Sequence, residues 1–181
     1  MNAFDYHRPA STADAMAALA RAADGRLLAG GQSLLPTMKL GLAAPSDLID
    51  LAAIASLRGI TRQSASITLG AMTTHAEVAR SETVRSAIPA LASLADGIGD
   101  QQVRARGTLG GSLANNDPAA CYPSAVLALK ASIKTNRRSI EADAFFTGIY
   151  QTALDPQEVI ESVSFAQPVS AAYIKIGRAH V

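Results

Sequence analysis

Hydrophobic and polar positions recur along this chain with two different periods, and the changes of period mark its elements. Residues 4–9 (Phe-Asp-Tyr-His-Arg-Pro) read as an extended lead-in. Ser11, with Asp14 three positions on, then forms a helix start before an alanine-rich amphipathic run to about Ala23. Asp24-Gly25 stops it. Residues 26–29 predict a short strand that runs directly into Gly30-Gly31. Beyond this pair lies a short apolar segment (Leu35, Met38, Leu40) with Pro36 near its start and Gly41 at its close. Proline suits a helix's first turn, whose unpaired N–H groups would point back toward the glycines. Residues 47–51 (Asp-Leu-Ile-Asp-Leu) predict another strand.

From Gly59 the period shortens, and residues 66–70 alternate polar with apolar as a half-buried strand does. One or two helices are expected over residues 83–98, broken at Pro89. Residues 101–106 are expected to return to extended structure. A buried helix over 124–131, a strand over 132–135, a turn at Asn136-Arg137-Arg138 and two more strands over 158–165 and 172–176 complete the pattern. Strands and helices mixed without clean alternation predict an α+β fold rather than a doubly wound sheet.

The stretch 106–120, Arg-Gly-Thr-Leu-Gly-Gly-Ser-Leu-Ala-Asn-Asn-Asp-Pro-Ala-Ala, does not fit either period. It interleaves glycines, hydroxyls, amides and a carboxylate with only leucine and alanine. Paired glycines beside a hydroxyl leave backbone N–H groups unobstructed and can form a concave nest for a phosphate or a ring carbonyl. An ordinary tight turn between strand and helix would also use a Gly-Gly pair.

Composition narrows the classes. A chain of 181 residues with 49% hydrophobic residues can bury one domain or two small lobes. Charged residues are 17% and the net charge is +1, which leaves no electrostatic footprint for nucleic acid; the short basic run at 134–138 reads as a solvated turn. No apolar segment reaches the roughly 18 to 20 residues of a membrane span. The N-terminus lacks the features of a signal peptide, so the cytoplasm is the expected compartment. The single cysteine, Cys121, excludes an internal disulfide and any cysteine-ligated iron–sulfur cluster held by this chain alone. Iron–sulfur chemistry, if involved, belongs to a partner. Cys121 itself is expected to be a small buried residue.

Familiar motifs fail. Gly97-Ile98-Gly99 meets Gln102 where the dinucleotide fingerprint needs glycine, and no P-loop exists. His7, His75 and His180 are scattered without metal-ligand spacing. Ser33 and Ser112 lie beside glycines but in no nucleophile elbow, so both are read as hydrogen-bonding groups. What remains is a repeated device, Gly30-Gly31-Gln32-Ser33-Leu34 and Gly110-Gly111-Ser112-Leu113. Two such segments suggest two lobes gripping one extended, phosphate-bearing ligand, and a dinucleotide has that shape.

Residues 29–40 (Ala-Gly-Gly-Gln-Ser-Leu-Leu-Pro-Thr-Met-Lys-Leu), 70–75 (Gly-Ala-Met-Thr-Thr-His) and 107–120 resemble the flavin-binding motifs of the medium subunit of molybdenum hydroxylases. This is the family of the carbon monoxide dehydrogenase and xanthine dehydrogenase flavoproteins. Phe145-Phe146-Thr147-Gly148, Glu158-Val159-Ile160 and Tyr173-Ile174-Lys175 resemble it too. The resemblance implies a two-lobed FAD-binding domain of the para-cresol methylhydroxylase (vanillyl-alcohol oxidase) type, with an N-terminal lobe over residues 1–57, a larger α+β lobe over 58–181, and FAD between them. It implies that Ala29, Gly30, Gly31, Gln32, Ser33 and Leu34 wrap the pyrophosphate through backbone N–H groups. Gly107, Thr108, Gly110, Gly111 and Ser112 would form the second wall, Thr74 and Asn115 or Asp117 would add side-chain bonds, and Ile160 and Lys175 would lie nearer the flavin.

Many members carry an aspartate directly after the Pro-Ala-Ala run, where this chain has Cys121-Tyr122, which puts a carboxylate contact there in question. Such subunits also continue into a separate C-terminal domain that this chain lacks, so a fragment, a truncated product or a stand-alone flavin module is expected. In function the resemblance implies an oxidoreductase flavoprotein subunit without catalytic side chains of its own. It would pass electrons from the 2Fe-2S clusters of a small subunit through FAD to an external acceptor, with substrate oxidised on a molybdopterin-binding large subunit, in a hetero-oligomer. The residues alone leave open a truncated assembly or interaction module, and a nucleotide-binding domain without redox function.

Overall fold

The computed structural model describes residues 2–176. In chain order its elements are β1 (Asp5–His7), α1 (Thr12–Arg21), β2 (Gly25–Leu28), α2 (Leu34–Lys39), β3 (Asp47–Asp50), β4 (Ile60–Gln63), β5 (Ser66–Gly70), α3 (His75–Arg80), α4 (Glu82–Ala87), α5 (Pro89–Asp96), α6 (Gln101–Arg106), α7 (Leu109–Asn115), α8 (Tyr122–Ala128), β6 (Ser132–Thr135), β7 (Ser139–Glu141), α9 (Ala142–Phe145), β8 (Phe146–Gly148), β9 (Gln151–Thr152) and β10 (Ile160–Ala166). Two short 3-10 turns, Leu51–Ala53 and Ala55–Leu57, connect β3 to β4. This is a mixed helix and strand fold.

A three-stranded parallel sheet, ordered β1-β3-β2, is built from the first elements. Helix α1 packs on it, and its start is as the sequence predicts: Ser11 caps it by accepting from the Asp14 N–H. Ala15 and Ala18 of α1 meet Ile49 of β3, and this core continues through Leu51, Ile54 and Leu57 to Met72 and Val159. A five-stranded antiparallel sheet, β4-β5-β10-β6-β7, follows. The alternation in β5 sends Ile67 and Leu69 into the core opposite Phe165 and Val163 of β10. On the other face Thr68 and Ser164 exchange a hydroxyl hydrogen bond of 2.8 Å. Helices α3 to α5, α7 and α8 cover the apolar face with Val78, Val84, Leu91, Leu109, Leu113, Tyr122 and Val126. Pro89 breaks the helical run as expected, opening α5 at its first turn.

The turn between β6 and β7 is tied to the start of β10 by a buried carboxylate. Arg138 donates to both oxygens of Glu158, at 3.0 and 2.9 Å, and the Thr135 hydroxyl donates at 2.6 Å. The Arg138 bonds, with the Asp155 amide and the Thr135 hydroxyl, hold the Glu158 pKa down at about 2.

Two local expectations are corrected. Residues 101–106 are helical, not extended, because Asp100 accepts from the Val103 N–H and nucleates a turn of good helix formers. Residues 172–176 form no strand: among the described residues no strand pairs with them, and Ile174 and Ile176 are exposed. The helix expected over 124–131 begins slightly earlier, at Tyr122.

Candidate functional site

The glycine-rich stretch is positioned by the turn after β5. Ala71 donates to the Glu161 carbonyl at 2.9 Å and Met72 to the Leu57 carbonyl at 2.8 Å, which pins residues 71–74 between β10 and the 3-10 turns. Thr74 then starts α3 with a capping box: its hydroxyl accepts from the Glu77 N–H, and Glu77 accepts from the Thr74 N–H at 2.7 Å. Residues 107–110 lie alongside. His75 donates to the Gly107 carbonyl at 2.9 Å, Leu109 to Thr73 at 3.0 Å and Gly110 to Ala71 at 2.8 Å, so that Thr74 and Thr108 face each other across an antiparallel bridge.

This geometry corrects the reading of 106–120 as an open nest of donors. Its centre is helix α7, capped by Thr108, whose hydroxyl accepts from the Gly111 N–H at 3.1 Å. The N–H groups of Leu109, Gly110, Gly111 and Ser112 are all taken by protein acceptors. The glycines are there for close packing. A Cβ on Gly110 would stand 2.6 Å from the Ala71 Cβ, and one on Gly107 would stand 2.5 Å from the His75 Nε2.

The first glycine pair behaves differently. Gly31 has φ +73, a conformation glycine adopts without strain, and the loop delivers the chain from β2 into α2. Gln32 donates to the Gly30 carbonyl and Thr37 to the Ser33 carbonyl. Among the described residues, no protein acceptor meets the N–H groups of residues 30 to 34. The two segments touch: a Cβ on Gly30 would overlap the Arg106 carbonyl oxygen, and one on Gly111 would lie 3.3 Å from the Ala29 Cβ. Beside the contact is a cavity of about 250 Å³, lined by Ala29, Ala52, Arg58, Met72, Thr74, Glu77, Ala105, Arg106 and Thr108.

The structure therefore gathers Ala29, Thr74 and Thr108 at one cavity, with Gly30 and Gly111 at the contact of the two segments beside it, whereas Gly31 packs on Leu35, Gly107 on His75 and Gly110 on Ala71. Gln32, Ser33 and Leu34 follow on the open side of the first loop. The remaining candidates do not line it. Ser112 and Asn115 are half-buried along α7, and Asp117 accepts from the Ala119 N–H in the turn beyond. Ile160 is buried in the core at the start of β10. Lys175 is exposed, its Nζ 3.5 Å from the Cys121 Sγ, and Cys121 is half-buried. His180 lies outside the described residues.

Sequence reasoning missed Arg58, Glu77 and Arg106 at the cavity, and the structural part of Asn116 at the end of α7. Asn116 takes the left-handed conformation that ends α7, and its amide donates at 2.8 Å to the carbonyls of both Gly148 and Gln151, fixing the β8–β9 hairpin. The asparagine pair was visible in the sequence, but not which member would be buried. His75 and Tyr122 support the second segment from below, their ring centroids 5.3 Å apart. Burial, and then the positive charge of Arg104, push the His75 pKa down to about 4, and burial raises that of Tyr122. Among the described residues, no three His, Cys, Asp or Glu side chains gather as metal ligands. Nor is any helix there long and apolar enough to cross a membrane.

The profile of the family described as the FAD binding domain in molybdopterin dehydrogenase matches residues 2–168. The chain belongs to this family. It is 41% identical over 183 residues to the carbon monoxide dehydrogenase medium chain of Hydrogenophaga pseudoflava, covering 97% of this chain and 64% of the relative. It is 41% identical over 165 residues to the nicotine 6-hydroxylase medium subunit of Paenarthrobacter nicotinovorans, covering 89% and 58%. Among solved structures, carbon monoxide dehydrogenase from Hydrogenophaga pseudoflava superposes with a TM-score of 0.94 at 39% identity, covering 98% of this chain and 64% of that one. This chain thus spans less than two thirds of the length of these relatives.

Proposed function

We propose that the chain binds FAD across the contact between its two glycine segments and serves as the flavin-carrying, electron-transferring part of a molybdopterin-dependent hydroxylase or dehydrogenase. The observation that carries this reading is the junction itself. Residues 30 to 34, whose N–H groups meet no protein acceptor among the described residues, follow directly on Ala29, which lines a cavity with Thr74 and Thr108, and a side chain added at Gly30 would clash with the facing segment. These residues fit the group: oriented amide donors and bare backbone suit a diphosphate, which offers only acceptors and needs close approach.

Within this reading the residues act by binding and orientation. Residues 29–34 supply amide donors, Gly111 lets the opposite wall come close to Ala29, Gly107 lets that wall pack on His75, and the Thr74 and Thr108 caps hold both helix starts rigid. Ser112, Asn115 and Asp117 continue the chain from that wall toward Cys121, beside which Lys175 lies, and Ile160 supports the domain from the core. The parallel sheet with its helices (residues 1–57) and the antiparallel sheet with its helical cover (58–181) are the two lobes of a para-cresol methylhydroxylase type domain. FAD held by these residues would supply the redox chemistry that links a partner's 2Fe-2S clusters to an external acceptor. The partners are a molybdopterin-binding large subunit and a 2Fe-2S small subunit in a hetero-oligomer. A cytoplasmic location fits a chain whose only cysteine is a free thiol.

The test is a visible spectrum of the purified chain after incubation with FAD and removal of free flavin. Bound flavin absorption, lost on Gly111→Trp, is the expected result. No retained flavin in the parent chain would overturn the reading.

A further inference from the structure

The cavity carries more charge than the glycine device requires. Arg58 and Arg106 both line it with one carboxylate, Glu77, which accepts from the Thr74 amide and hydroxyl at 2.7 and 2.8 Å, so the lining side chains keep a net positive charge. Among the described residues, neither arginine has a carboxylate within ion-pair distance, a state they share with several exposed arginines, and what distinguishes these two is their place in the cavity lining. Asp50, in the strand that leads toward this region, is taken by the Tyr6 hydroxyl and the Ala52 N–H.

The Arg58 guanidinium is held by a hydrogen bond, and Arg106 is held at the cavity through its backbone. Arg58 donates to the Ala52 carbonyl at 3.3 Å, and Ala52 is itself a lining residue. Arg106 is the last residue of α6, where the helix carbonyls favour a cation, and its own carbonyl is packed against Gly30. The lining is polar apart from alanines and Met72. At about 250 Å³ the cavity is smaller than the roughly 300–1,000 Å³ typical of sites that enclose a drug-sized ring system.

Resting on the FAD reading, we infer that Arg58 and Arg106 are the counter-charges of the ligand's diphosphate, which lies in this cavity, while the flavin ring lies outside it. Each phosphate of a diphosphate diester carries one negative charge at neutral pH, and two guanidinium groups against the single Glu77 carboxylate leave the lining positive toward it. The amides of residues 30 to 34 supply direction, and the arginines supply charge. Guanidinium suits this role because its planar donors can take two oxygens at once.

The test titrates the full chain with FAD and, separately, with riboflavin, which has the same ring and no phosphate, following flavin fluorescence at several salt concentrations. FAD affinity is expected to fall with salt, and riboflavin affinity is not; a salt-independent FAD affinity would overturn the inference without any variant. Arg58→Met and Arg106→Met are each expected to weaken FAD about tenfold and to flatten its salt dependence, leaving riboflavin unchanged. Circular dichroism confirms that the variants fold, and Arg106→Lys should retain most of the salt dependence. A double methionine variant with parental FAD affinity would overturn the inference while leaving FAD binding intact. Equal losses for FAD and riboflavin would also overturn it, because the arginines would then contact the ring. A parent chain that binds neither flavin would remove the FAD reading and this inference together.

Discussion

The two glycine pairs look alike in sequence and do opposite work in the fold. At Gly30-Gly31 the chain opens, and the amides that follow have no protein partner. At Gly110-Gly111 the chain closes. Every amide from Leu109 to Ser112 is satisfied, and the missing side chains let α7 press against Ala71. One pair leaves polar groups for a ligand, and the other builds the wall on which that ligand would lie. Glycine in a binding motif therefore has two separable meanings, availability of donors and nearness of backbones, and only the hydrogen-bond accounting tells them apart.

The difference is broken most severely at the closed segment. Gly110→Val would drive a branched side chain into Ala71 and is expected to cost about 3 kcal/mol in urea denaturation. Gly31→Ala at the open segment meets only the flexible end of Leu35 and a positive φ, for about 1 kcal/mol, while shifting the FAD titration to weaker binding. If Gly31→Ala proved the more destabilising of the two, the division of labour would be wrong.

Acid should discriminate between them next. His75 has a pKa of about 4 in the fold against an ordinary 6.5, so the unfolded chain takes up a proton that the fold refuses. Its contribution is complete above pH 6.5 and is lost as pH falls toward 4. Glu158, lowered from 4.5 to about 2, adds a second loss between those values. Hydrogen exchange, corrected for intrinsic rate, should therefore show the amides of 109–112 losing protection first between pH 6.5 and 4. The amides of 30–34 should be unprotected throughout without FAD. The smallest effect is expected from Thr108→Ala, which removes the α7 cap for about 1 kcal/mol by chemical denaturation.

Most strands and caps were legible because they rest on local chemistry. Ser11 with Asp14, the alternation at Ile67 and Leu69, and Pro89 at a helix start are statements about neighbours. The glycine pairs were legible as signals, but their roles were not. Whether the Gly110 amide is free depends on Ala71, whose carbonyl arrives from another part of the chain. The cavity arginines were invisible for the same reason: nothing near Arg58 in sequence marks it, and its place is set by the fold around Ala52. Residues 101–106 were misread because the weight of Asp100 as a cap was overlooked, and 172–176 because apolar residues alone do not make a strand without a neighbour.

Strand β10 is the last strand among the described residues, yet it lies at the middle of the five-stranded sheet, between β5 and β6. Its partner Ser66 must wait for Ala166. During synthesis β5 and β6 emerge with bare edges, and no local hairpin can satisfy them. The chain thus folds late, through contacts distant in sequence. Until residues 160–166 leave the ribosome, those open edges are the part of the molecule most exposed to pairing with the wrong chain.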